Sequence, residues 1–516
     1  MPPYASTAIA DLEAGSGTPG RPQRIALVGG GGISGLQTIR ALKARGLQVV
    51  AYEGSSQVGG IWKSNYSNFS VQVPRVLFEF LDFPMPQIGW EEYATGVQVQ
   101  EYIEAYAKEF GLLDSIQFGT YVHKVRLQPD QSWTVEVKTD TTTSVEHFDY
   151  VIIASGLYSG TNQFIPNIAG KESFRGQLVH SCQFYDASVA KDKRVVVIGG
   201  GKSAVDIAVE AALNKAAKVT LLPREIHWPS PRVLLGLIGT HKIMMSRLGL
   251  SLVCTQSGTF PTGTLVSTKN RIFAILVKPL YKLYETLVAF QFNLWGKLYP
   301  KTDVMRDFYN IHFSVNNDLT IMRKKGLVDF REGEIVEFKK DGRTLALKDG
   351  STLEADLVVS ATGFKEDYTL FEDPKKLLDI QEDGVYMYRF MLPRNVPNLA
   401  FIGHVNAVSN IGTYGLQAEW LARYLAGDLV EEVTPEAMTK DIEARKDWAR
   451  NFMPMSKVRG MTILLHQTHY WDCLCRDMGV NPYRKGNIFA EYLMPYGPFD
   501  YNGIIGTPAP KKVLYR

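Results

Sequence analysis

Short apolar runs rich in β-branched residues, each ending in glycine or a small-residue turn, recur along the chain. Residues 24–28 (RIALV) and 194–198 (RVVVI) are two of them, and each passes through a glycine-rich turn into a helix-like pattern. That succession predicts strand, tight turn and helix, the opening of a parallel α/β unit. LQVVAYE (47–53) and KVTLLPREIHW (218–228) predict a second strand in each unit, and DLVVSATGF (356–364) predicts a strand closing on small residues. A different pattern occupies residues 231–301. Its apolar stretches carry polar residues at 271, 278, 282, 285, 293 and 297. This is helical spacing, and it predicts an amphipathic helix with one narrow polar stripe, kinked at Pro279.

The two turns carry the first chemistry. Gly30-x-Gly32-x-x-Gly35, with Ile33 and Ser34 inside it, and Gly199-x-Gly201-x-x-Ala204, with Lys202 and Ser203 inside it, are dinucleotide-binding fingerprints. Glycine lets the backbone turn sharply and approach a pyrophosphate, which then meets the free N–H groups and positive dipole of a helix N-terminus. Two fingerprints predict two nucleotides, and the end of the second strand in each unit predicts which. Glu53 ends the first unit's second strand, where a carboxylate accepts hydrogen bonds from both hydroxyls of an adenosine ribose and repels a 2′-phosphate. The second unit offers Arg224, with Lys202 in its turn, and a guanidinium can grip a 2′-phosphate with two parallel hydrogen bonds. The first site is therefore expected to hold FAD and the second NADPH.

Length and charge bound the rest. A chain of 516 residues, 45% hydrophobic, accommodates about three domains by the usual length prior. Residues 1–22 are rich in Pro, Gly, Ser and Ala without a basic start or an apolar core, and predict a disordered tail rather than a signal peptide. The cysteines, Cys182, Cys254, Cys473 and Cys475, are too few and too scattered for a disulfide framework, which points to a reducing, cytoplasmic setting. Cys473 and Cys475, near His466 and His469, match no common zinc spacing, so no metal is expected. The net charge of +3 conceals an asymmetry. Residues 231–301 hold nine Lys or Arg against Glu285 alone, a net of +8, leaving the remainder at −5. Basic and apolar together, with Trp295, this is the composition of a helix lying peripherally on a membrane surface. It equally suits an insertion packed on the nucleotide domain or on another subunit. No stretch reaches the 18 or so uninterrupted apolar residues of a membrane span, and no nucleic-acid motif accompanies the basic residues.

Further motifs lie between and beyond the fingerprints. They are Gly59-Gly60-Ile61-Trp62, Phe174-x-Gly176-x-x-x-His180-x-x-x-Phe184, Ala361-Thr362-Gly363-Phe364, Asp82-Phe-Pro-Met-Pro86, and NLAFIGHV followed by Gly415-Leu-Gln-Ala-Glu-Trp420. With these the chain resembles the class B flavin-containing monooxygenases from about residue 23 to about residue 430. The resemblance implies an α/β fold with two Rossmann-like domains. The FAD domain would comprise residues 23–185 and 366–516, with an NADPH domain, 186–365, inserted into it and the active site in the cleft between them. It also implies FAD contacts at Gly60, Ile61, Trp62, Val125 and Ser155, strand-end crossings at Thr362 and Gly363, and a domain-orienting role for His180. Departures occur too. Tyr185 stands where the signature ends in Lys or Arg, Lys202 where Asn is frequent, and a gap-free count back from Asp82 places Gln72 where many members have a flavin-facing Asn, a small gap placing Asn65 or Asn68 there instead.

The activity implied is a monooxygenase reaction. NADPH would reduce FAD, and reduced flavin would capture O₂ as a C4a-(hydro)peroxyflavin, with Gln72 the nearest side-chain amide and the protein excluding water. Oxygenation of a small organic substrate at nitrogen or sulfur ranks first. Baeyer–Villiger oxygenation of a carbonyl ranks second, because that signature usually has Trp where Phe184 stands. A non-catalytic FAD/NADPH-binding sensor is the rival from another class. A disulfide reductase is excluded, since residues 54–181 contain no cysteine. Neither substrate nor oligomeric state is legible.

Overall fold

The computed structural model describes residues 21–87, 89–158, 162–253, 270–309, 314–315, 317–453 and 456–508. Two five-stranded sheets, parallel throughout, organise them. The first runs in space Leu399–Phe401, Tyr150–Ile153, Ile25–Val28, Val49–Tyr52, Ile116–Gln117. The second runs Val328–Phe330, Lys218–Leu222, Arg194–Ile198, Leu357–Ser360, Gln177–His180. Ile25–Val28 and Tyr150–Ile153 bury every side chain, as strands covered on both faces must, and so read as unbroken apolar runs.

The helix Ile33–Ala44 leaves the first sheet's central strand and packs against the helix Asn410–Ala426. On the opposite face an antiparallel meander, Tyr121–Leu127, Trp133–Lys138 and Thr143–Phe148, sets Val125, Trp133 and Val135 in one core with Ala26, Val28 and Val151. The second sheet repeats the plan with the helix Lys202–Leu213 and the meander Ile335–Phe338, Thr344–Leu347, Thr352–Glu354. The chain leaves the first sheet at Ile153, builds the second, and returns at Leu399–Phe401 to pair beside Tyr150–Ile153. The α/β architecture with one Rossmann-like unit inserted into the other is thus present.

Two local differences from the sequence expectation have clear causes. Gln177–His180 pairs with Leu357–Ser360, so the second sheet draws on chain upstream of residue 186 and the signature segment is itself a strand. The expected tail lies outside the described residues except Arg21 and Pro22. Pro22 is buried, and Arg21 donates to the carbonyls of Arg45 and Gly46 at the end of the helix Ile33–Ala44.

The described part of 231–301 holds the hairpin Val233–Leu234 with Ile238–Gly239 and the helices Thr240–Met244, Arg247–Val253 and Asn270–Phe292, the last running through Pro279. The expected polar stripe does not simply face solvent. Glu285 is 2% exposed, whereas Leu280, Leu283 and Phe290 are exposed. The Glu285 carboxylate accepts from Lys282 Nζ and, at 3.0 Å, from the N–H of Val304, the first residue of the helix Val304–Phe308. A helix N-terminus is a favourable place for a buried carboxylate, and it turns this polar position inward. Among the described residues no helix is long and apolar enough to cross a membrane.

Candidate active site

Both fingerprints fold into open cradles. The helices Ile33–Ala44 and Lys202–Leu213 begin on Gly32 and Gly201 with no side-chain cap. A Cβ at either glycine would meet nothing within 4 Å, so the first N–H groups of each helix open onto space that a pyrophosphate would fill. The closing residues differ in kind. A Cβ on Gly35 would lie 2.2 Å from the carbonyl oxygen of Gly29, so only glycine lets helix and strand approach this closely. At the second site Ala204 is fully buried and fits as alanine. Ile33 packs against the core, and Ser34 Oγ donates to the Ala154 carbonyl at 3.1 Å, fixing the first helix to the end of the neighbouring strand.

Glu53 follows the strand Val49–Tyr52 directly. Its Oε2 accepts from the N–H of Gly31 at 2.9 Å and its Oε1 from the N–H of Ser55 at 2.9 Å, holding an acid at the lip of the turn. The short 3₁₀ turn of Gly60, Ile61 and Trp62 lies over the fingerprint. The N–H of Gly59 donates to the Gly31 carbonyl at 2.8 Å, and Trp62 stacks on Phe69. Ser155 is exposed at the end of Tyr150–Ile153, beside Gly29. Val125 is placed otherwise. It is buried in the core beneath the sheet, with its N–H donated to the Leu370 carbonyl.

At the second site Arg224 is exposed, two residues past the strand Lys218–Leu222, with no ion-pair partner among the described residues. Lys202 turns away from the open cradle. It is 8% exposed, paired with Asp206 one helical turn on, and Asp206 also accepts from Tyr66 Oη at 3.0 Å. Burial lowers the Lys202 pKa, an effect the Asp206 carboxylate opposes. Lys202, through Asp206, therefore joins the second domain to the segment leading to Gln72. Thr362 Oγ1 bonds Ser360 Oγ and the Phe164 carbonyl, while the Gly363 carbonyl receives His180 Nε2 at 2.9 Å. Burial lowers the His180 pKa, so the neutral ring donates from Nε2, and the signature is tied to the crossing strand.

Gln72 lies on the wall of a small recess open to solvent. One side comes from the first domain, including Val73, Leu77, Tyr93 and Val408. The other comes from the second, including Arg232, His241 and Met245 of the insertion and Phe308 beyond it. This recess is partly built by residues 231–301, and the sequence alone does not mark Arg232 or His241 as its lining. Also unmarked is a chain of hydrogen bonds after the strand Leu399–Phe401. His404 Nε2 meets Tyr368 Oη at 2.6 Å, and that hydroxyl donates to Glu366 at 2.6 Å. Burial pushes His404 down to about 4 and raises Glu366.

Cys473 and Cys475 are buried, and burial pushes the Cys473 thiol up to about 12. Cys254 lies outside the described residues. Among the described residues no group of three or more His, Cys, Asp or Glu side chains could hold a metal ion.

The family model "Flavin-binding monooxygenase-like" matches residues 22–487. The "Probable flavin-containing monooxygenase 1" of Arabidopsis thaliana is 28% identical, over 93% of this chain and 96% of that protein. "Flavin-containing monooxygenase 5" of Cavia porcellus is 30% identical, over 84% of this chain and 78% of that protein. Among solved structures, S-allyl-L-cysteine S-oxygenase from Allium sativum superposes with a TM-score of 0.61 at 20% identity, covering 89% of each chain. Cyclohexanone monooxygenase from Rhodococcus sp. Phi1 bound to NADP⁺ gives 0.65 at 19% identity, covering 88% of this chain and 97% of that one. With two dinucleotide cradles and a match over nearly its whole length, the chain belongs to the flavin-binding monooxygenase-like family and is an NADPH-dependent flavin monooxygenase whose cofactors are FAD and NADP.

Proposed function

We propose that the enzyme transfers one oxygen atom of O₂ to a nitrogen or sulfur atom of a small organic substrate, with FAD at the Gly30–Gly35 turn and NADPH at the Gly199–Ala204 turn. The reading is carried by one observation: Gln72, the position expected to face the flavin, lines a recess shared by both domains. The reaction balances as substrate, O₂, NADPH and a proton giving oxygenated substrate, water and NADP⁺. FAD, when bound and reduced, supplies the oxygen-activating chemistry. The helix N-termini bind the pyrophosphates, Glu53 orients the adenosine ribose at the first site, and Arg224 selects the 2′-phosphate at the second. Val73, Leu77, Met245, Phe308 and Val408 exclude water from the recess, and Gln72 lies on its wall.

Nitrogen or sulfur is favoured over a carbonyl because Phe184, 1% exposed, puts only hydrocarbon where the Baeyer–Villiger signature has Trp. Aerobic incubation with NADPH and an amine, a sulfide and a ketone is expected to give N-oxide and sulfoxide. Ester or lactone as the sole product reverses the order. A flavin whose absorbance NADPH does not bleach returns the protein to the sensor class.

The basic insertion suits a membrane surface. Leu237 is 81% and Phe290 70% exposed, with Lys242, Lys278, Lys282 and Lys297 exposed on the same segment. Sedimentation with anionic phosphatidylserine vesicles is expected, weakening with salt, and weaker with phosphatidylcholine. Failure to sediment with either sinks this placement.

A further inference from the structure

Arg232 sits on the wall of the recess, just after Ser230–Pro231, at the start of the insertion. One terminal nitrogen, Nη2, donates to Ser70 Oγ at 3.2 Å and to the Val71 carbonyl at 3.0 Å, and the guanidinium lies 4.1 Å from the centre of the Tyr93 ring. Its Nε is buried without a hydrogen-bond partner, and no carboxylate among the described residues lies within ion-pairing distance. Asp206 and Asp318 act on it only from farther away. Other deep arginines of this protein are matched differently: Arg247 meets Asp472 and Glu491, Arg389 meets Asp441 and Asp477, and Arg423 meets Glu419.

A largely buried cation held in place by neutral groups is costly unless something completes it. Here the surroundings restrict what that can be. The walls around Arg232 are mostly apolar, and the other polar groups are Gln72, Tyr93, Ser230, Thr240 and His241, none of them a carboxylate; the His241 Nδ1 is likewise buried without a partner. A pocket of hydrocarbon with one pre-oriented guanidinium has the chemistry to take an apolar body ending in a carboxylate, which arginine pairs with in two parallel hydrogen bonds.

We infer that the substrate of this enzyme is an organic acid: its carboxylate pairs with Arg232, its apolar body lies along Val73, Leu77, Met245 and Phe308, and its oxidisable nitrogen or sulfur reaches the Gln72 side. This rests on the recess being the substrate site of the proposed function. The anion could also come from the nucleotide, since Arg232 lies near enough to Lys202 in the second turn to affect it. A substrate carboxylate fits better, because the recess is walled by side chains of apolar type and Lys202 already has Asp206.

The test uses the FAD-loaded enzyme with benzylthioacetate and its methyl ester as oxidisable probes and phenylacetate as a probe that binds without reacting. The acid is expected to show a KM roughly tenfold or more below that of the ester, the scale of a charge-assisted hydrogen bond. By titration calorimetry, Arg232→Met should weaken phenylacetate roughly tenfold and NADPH by less. Arg232→Lys should recover part of the loss, with thermal melting confirming that both variants fold. Equal KM values for acid and ester overturn the inference, as does an Arg232→Met variant that loses NADPH affinity as much as phenylacetate affinity, which assigns the cation to the nucleotide. If neither thioether is oxygenated while phenylacetate still binds through Arg232, the nitrogen- or sulfur-oxygenation reading fails and the acid site stands.

Discussion

Gly35→Ala should yield a protein that purifies with little or no flavin. Alanine is the better helix former by about 1 kcal/mol, so propensity alone predicts a gain at this position in the helix Ile33–Ala44. The opposing effect is larger. The added carbon would lie 2.2 Å from the Gly29 carbonyl oxygen and 2.8 Å from Gly30 C, and both are backbone atoms of the turn itself. No rotamer change relieves such a contact, so the helix must move off the strand, a strain of about 1–3 kcal/mol for one buried methylene. The helix N-terminus that receives the pyrophosphate moves with it, and the Ser34 to Ala154 hydrogen bond that anchors the turn is stretched as well. The ratio of flavin to protein absorbance after purification, together with thermal melting, reads both effects. A Gly35→Ala protein with full flavin content would show that the first turn is not the FAD site. Ala204→Gly at the second turn is the control, because alanine already fits there and only packing and helix propensity are lost.

What the sequence disclosed is what backbone sterics impose over short distances. The fingerprints, Glu53 at the strand end and the exposed Arg224 all arise from strand, turn and helix within some 25 residues, the span over which such units are written. Side chains whose partners are remote in sequence escaped it. Lys202 and Asp206 stand four residues apart on one helix, so their pairing is a local possibility, but the Tyr66 hydroxyl that completes the cluster comes from the other domain. Glu285 belongs to the polar stripe by spacing and is nonetheless buried, because the N–H that it meets belongs to Val304. Arg232 counted only as one charge of a basic segment. Its position opposite Gln72 depends on how the insertion folds back over the first domain, and no local pattern encodes that. The same is true of the link from His404 through Tyr368 to Glu366, which joins the end of one strand to the loop after another.

Arg224→Ala should raise the KM for NADPH about 10- to 100-fold and leave the KM for NADH nearly unchanged, because a charged hydrogen-bonded contact contributes about 1.5–3 kcal/mol. The two domains supply the comparison that singles out this residue. In the first, the strand Val49–Tyr52 is followed at once by Glu53, whose carboxylate bonds the N–H of Gly31 in the middle of the turn. In the second, the strand Lys218–Leu222 is followed by Pro223, and a Cβ on Gly200, the counterpart of Gly31, would approach Pro223 at 3.1 Å. Pro223 takes the place that Glu53 holds in the first unit, and Arg224 stands next in the chain, exposed and without an ion pair among the described residues. Lys202 cannot substitute for it while held by Asp206. The exposure of Arg224 cuts the other way, since solvent screening weakens a surface contact, so the NADPH preference should shrink as ionic strength rises. At saturating NADPH the variant should keep most of its kcat, because the fingerprint and helix N-terminus that place the nucleotide are untouched. An equal rise in KM for both nucleotides would reject the phosphate-clamp role and leave Arg224 as a surface charge.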